Sequence, residues 1–74
     1  MARPPQVNAR RLLAALQRAG FEVRRQTGSH VILRHPESKR MAVVPQHPGA
    51  LSPELTISIL KQAGLTAEDL RELL

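Results

Sequence analysis

The chain has 74 residues and no cysteine. Disulfide frameworks, cysteine-ligated zinc ribbons and thiol nucleophiles are therefore excluded. Aromatic side chains are nearly absent as well: Trp and Tyr do not occur, and Phe21 is the single phenylalanine. Single-stranded nucleic acid is commonly held by stacking its bases on aromatic rings. Any nucleic-acid binding by this chain must rest on charge and shape instead. No apolar run approaches the roughly 20 residues needed to cross a bilayer. The opening "MARPPQVNARR" lacks the apolar stretch of a signal peptide. The expected location is the cytoplasm, without membrane attachment.

What is present suits one small domain, with 42% hydrophobic residues. Charge is unevenly placed. Through Gln46 there are nine basic and two acidic residues, net +7; from His47 onward there are two basic and four acidic, net −2. A polyanionic partner is expected to meet the first part of the chain.

Residues 1–7 carry two prolines and no apolar period, and are expected to form a flexible lead-in to one domain over 8–74. Asn8 is placed to cap a helix on which Ala9, Leu12, Leu13, Leu16 and Ala19 share a face, and Gly20 ends it. "FEVRRQ", "HVILRH" and "RMAVVP" read as three short strands separated by the turns "TGS" and "PESK". After a loop, Ser52 and Pro53 start a second helix with Leu55, Ile59, Leu60 and Ala63 on its apolar stripe and Gly64 at its end. Thr66 and Asp69 form a capping-box pattern that opens a short last helix. The expectation is an α+β domain of order α-β-β-β-α plus a terminal helix, with the helices on one face of a three-stranded antiparallel sheet.

Strand parity then sorts the first hairpin. A turn over Gln26 to Gly28, or over Thr27 to Ser29, has an odd number of loop residues. Either choice puts Phe21, Val23, Val31 and Leu33 on the face covered by helices. Glu22, Arg24, Gln26, His30, Ile32 and Arg34 fall on the other face. In the first register Arg24 lies directly opposite His30, where cross-strand side chains interact. His30 is thus expected outside the core, at a strand start, in a basic setting suited to a phosphate.

Histidine is the side chain best suited to proton transfer near neutral pH, so His30 is the candidate for acid–base work. His35, beside Pro36, reads as a strand-end residue. His47 lies in a proline-flanked loop and is a weaker candidate for a second proton-transfer group. The spacing of the three histidines fits no zinc pattern; neither a metal nor a cofactor is expected. Ser29 precedes His30 directly, and neighbouring strand side chains point to opposite faces, which is poor geometry for a nucleophile and its base. Ser29 and Gly28 are expected to shape the turn and to offer polar groups to a phosphate.

The stretch "LQRAGFEVRRQTGSHVILRHPESKRMAVVPQH", followed by "SILKQAGLT", resembles the HicA-type toxins, small mRNA interferases of toxin–antitoxin pairs. The matching elements are Gly20-Phe21, Gly28-Ser29-His30, Pro45 with His47, and Ile59-Leu60-Lys61-Gln62-Ala63-Gly64. The resemblance implies a fold like that of double-stranded-RNA-binding domains. It implies endoribonuclease activity with His30 as the essential residue, and a HicB-type antitoxin that covers the site. Two departures stand out: "PGALSPELT" lacks the basic residues common there, and Thr27 replaces a basic or small residue.

The function expected from residues and resemblance together is mRNA cleavage by a toxin, using acid–base chemistry centred on His30 and needing no metal. RNA would be held by Arg24, Gly28, Ser29, Arg34, Lys39 and Arg40, and the free protein would be a monomer or weak dimer. The alternatives are a non-catalytic RNA-binding module of the same fold, and a protein-interaction domain that docks an antitoxin.

Overall fold

The computed structural model describes residues 3–74. Its first helix, α1, spans Ala9–Arg18. The Asn8 side chain accepts a hydrogen bond from the Arg11 N–H at 2.9 Å, which satisfies a donor the helix itself cannot. Helical spacing brings Ala9, Leu12, Ala15 and Leu16 onto one buried stripe. Leu13 and Ala19 pack at its margin.

Three strands follow, β1 (Glu22–Thr27), β2 (His30–Arg34) and β3 (Met41–Pro45), in the order β1-β2-β3 with both pairings antiparallel. Alternation along β2 and β3 buries Val31, Leu33, Ala42 and Val44 against the helices. The second helix, α2, spans Pro53–Ala63 and the third, α3, Ala67–Leu73. Ser52 and Thr66 cap them as expected, and Thr66 with Asp69 closes a full capping box. α2 packs on β3, and α1 packs on β3 and α3. The result is the expected α+β domain, with Leu12, Leu16, Leu33, Ile59 and Leu70 at its centre.

One side chain of α2 reaches the edge of the sheet. The Val43 N–H points outward from edge strand β3 and donates to Gln62 Oε1 at 3.1 Å. A backbone donor that would otherwise lie open on a sheet edge is thereby satisfied. Gly64 ends the helix at φ 75, the left-handed conformation that favours glycine.

The opposite edge differs from expectation. Val23 does pair with Leu33, on the covered side, yet it is 47% exposed. The helices pack mainly on β3, and the six residues of β1, the strand farthest from it in the sheet, are all exposed. The chain start is also more tied down than a free lead-in. Val7 is buried, its carbonyl accepts from the Leu51 N–H at 2.8 Å, and the Arg3 carbonyl accepts from Arg71 Nη2 at 2.6 Å. Met1 and Ala2, the rest of the expected lead-in, lie outside the described residues.

Candidate functional site on the open sheet face

The face of the sheet turned away from the helices is a small grid set by the two registers. Its rows are Glu22, Arg34 and Met41; then Arg25, Ile32 and Val43; then Thr27, His30 and Pro45, of which Pro45 is buried. His30 begins the central strand, is exposed, and is followed by buried Val31. Its face is fixed by that alternation within β2, independently of the neighbouring strand.

The residue opposite His30 is Thr27, not Arg24. The first hairpin turns through two residues, Gly28 and Ser29, rather than three, with positive φ (54) at Gly28 alone. A glycine first in a two-residue loop is the signature of the tight hairpin turn that matches strand twist. Such an even loop, continued regularly, would carry Val23 to the open face. An irregularity between Val23 and Arg25 corrects this: Arg24 is the extra residue, and below it the pairs Val23–Leu33 and Glu22–Arg34 recover the parity required by the apolar pattern. In consequence Arg25 and Thr27, not Arg24 and Gln26, occupy ladder positions on the open face. Arg25 is a residue the sequence reasoning missed. The pair of adjacent arginines was the available signal, because a bulge beside a tight turn exchanges which of them joins the face.

The other candidates separate into two groups. Gly28, Ser29 and His47 lie at the His30 end of the sheet. The Ser29 carbonyl accepts from the Gln46 N–H, so the turn before His30 is bonded to the segment that leads into His47. That loop is held at its far end by buried Leu51, and His47 itself is exposed. Lys39 and Arg40 are at the other end, beyond Arg34, and β2 separates the two ends by about 13 Å. Lys39 sits in the second hairpin at φ 66 and donates its N–H to the His35 carbonyl. Arg40 leaves the open face altogether: its Nε lies 2.7 Å from where a Cβ on Gly64 would be. There the guanidinium meets the carbonyl end of α2, a favourable place for a cation. Arg34 is on the open face but pairs with Glu22 across the strand.

His35 is a turn residue, as its place beside Pro36 suggested. Its Nδ1 accepts from the Glu37 N–H at 3.2 Å and the Ser38 N–H at 3.3 Å, and its ring meets Phe21 edge-on at 5.2 Å.

The order of elements, the Gly28-Ser29-His30 turn and the Gln62–Gly64 device on α2 are thus all in place. The family model of the HicA toxin of bacterial toxin–antitoxin pairs matches residues 9–65. The chain belongs to the HicA toxin family. The matched span runs from the start of α1 to just past the glycine that ends α2, and so contains the whole sheet and its open face. No curated protein matches the chain. Membership makes it the toxin half of a toxin–antitoxin pair, in a family known for ribonuclease activity, and a cognate antitoxin is its partner. No helix among the described residues is long and apolar enough to cross a membrane.

Proposed function

We propose that this HicA-family chain is an endoribonuclease that cleaves mRNA, with His30 carrying proton transfer at the scissile phosphate. The supporting observation is the position of His30: an exposed imidazole at the start of the central strand, on a sheet face that no helix covers. In the proposed reaction a ribose 2′-oxygen bonds to the adjacent phosphorus as the bond to the 5′-oxygen breaks. His30 takes the 2′-OH proton, or gives a proton to the departing oxygen. Charge on the phosphorane is met by arginine and by N–H groups of the Gly28-Ser29 turn. His47, on the segment bonded to that turn, is the candidate for the complementary proton transfer. An antitoxin of the HicB type would silence the enzyme by covering the same face.

General acid–base catalysis typically contributes 10²–10⁴-fold. His30→Ala should therefore cleave RNA more slowly by about that factor, while circular dichroism and thermal melting stay as in the parent, because His30 is exposed. A single 2′-deoxy substitution at the cleaved position should block scission. Undiminished cleavage by His30→Ala overturns the assignment. RNA binding by the parent without strand scission would leave a non-catalytic RNA-binding module.

A further inference from the structure

Three arginines have work inside the fold. Arg18 Nη1 donates to the Leu73 carbonyl at 2.7 Å and fastens α1 to the end of α3. Arg71 holds Glu68 and the Arg3 carbonyl. Arg40 lies on Gly64. On the open face two arginines occupy ladder positions, Arg34 and Arg25. Arg34 faces Glu22 and is two rows from His30, about 13 Å along the strand. Arg25 pairs with Ile32, the residue two beyond His30, and is therefore the diagonal neighbour of His30. Diagonal pairs stand about 7–8 Å apart at the backbone, a separation that long side chains reach across.

We propose that Arg25 is the arginine that holds the scissile phosphate beside His30, and that the two-residue Gly28-Ser29 turn, compensated further along β1 by the bulge at Arg24, puts it there. The proposal rests on the ribonuclease reading and assigns the anion-binding group of that site. A guanidinium presents a planar fork of donors that fits two phosphate oxygens at once. Anchored one diagonal step from the imidazole, it grips the non-bridging oxygens while His30 works on the bridging or attacking oxygen. Arg24, one residue away and also exposed, has no ladder position on the face and supplies only general positive charge.

The adjacency provides its own control, since Arg24→Ala and Arg25→Ala remove the same charge from the same exposed strand. Cleavage of a short RNA should fall about 10²-fold or more in kcat for Arg25→Ala, the usual cost of removing one donor to a developing oxyanion. Arg24→Ala should change kcat by less than threefold. Binding to the same RNA with a 2′-deoxy residue at the cleaved position should also separate them. Arg25→Ala should reduce the slope of log affinity against log salt by about 0.7, one phosphate contact on a single strand; Arg24→Ala should leave that slope in place. Arg25→Lys, which keeps the charge and loses the fork, should recover binding more than kcat. Equal effects of the two alanine variants on kcat and slope, or a larger effect at Arg24, overturn the proposal. Full cleavage by His30→Ala overturns the ribonuclease site itself and leaves the binding comparison to decide between the arginines.

Discussion

Gly20 offers a sharp test of how the resemblance motif is used by the fold. It has φ 103, and a Cβ placed on it would lie 2.7 Å from His35 Nε2. An L-residue forced into a positive-φ conformation costs roughly 1–2 kcal/mol. The contact adds to this, because the His35 ring cannot simply swing aside. Two backbone N–H groups donate to its Nδ1, and Phe21 packs edge-on against it. Each such hydrogen bond is worth about 0.5–1.5 kcal/mol net and the aromatic contact a similar amount. Partial loss of these brings the expected cost of Gly20→Ala to about 2–4 kcal/mol. In a domain of this size each kcal/mol moves Tm by about 4–8 °C, so the effect is readily measured by urea and thermal unfolding. The decisive comparison is a double-mutant cycle with His35→Ala. Without the ring, Gly20→Ala should cost only the backbone strain, about 1–2 kcal/mol. An equal cost in both backgrounds would refute the claim that the His35 ring is what excludes a side chain at this position.

Gln62→Ala should cost about 0.5–1.5 kcal/mol by leaving the Val43 N–H without its partner, and hydrogen exchange at Val43 should quicken; Gln62→Glu, which keeps the acceptor, should restore protection. Unchanged exchange in Gln62→Ala would show that the edge of β3 does not depend on α2. Lys39 holds φ 66 in the second hairpin, so Lys39→Gly should raise stability by about 0.5–1 kcal/mol after its entropic cost. Lys39→Val should lower it, and a urea titration giving the reverse order would contradict the strain argument.

The helices were legible because their determinants are local. Asn8, Ser52 and Thr66 each place a side-chain oxygen on an N–H three residues ahead, and Gly64 takes the left-handed end that its sequence position suggests. The face of His30 could be read for a related reason: it follows from burial of Val31 and Leu33 within the same strand. The partner of His30 could not. It depends on loop length and on any extra residue in β1 together, and the apolar pattern constrains only their combined effect. A three-residue loop with regular strands and a two-residue loop with one bulge both bring Val23 opposite Leu33. They differ only above the bulge, where Arg24, Arg25, Gln26 and Thr27 carry no apolar signal. Charge alone could not place Arg40, since a positive side chain near a basic surface is as readily held at a helix end as by a polyanion.

The residues shared with HicA toxins divide according to what packing asks of them. Gly20 makes room for the His35 ring, Gln62 satisfies a β3 donor, Ala63 is buried, and Gly64 turns the chain beneath Arg40. These positions are accounted for without reference to any substrate. The remainder behaves differently. Gly28 has no atom within 4 Å of its would-be Cβ, so only its backbone conformation requires glycine there. His30 and His47 are exposed, and neither side chain has a hydrogen-bond partner among the described residues. What joins them is one backbone bond, from Gln46 to Ser29, that ties the turn to the loop. A tight turn that presents an unburdened histidine, and a loop fastened to that turn that presents another, contribute little to the core. Their common position at one end of the sheet is the observation on which the proposed chemistry of His30 and His47 rests.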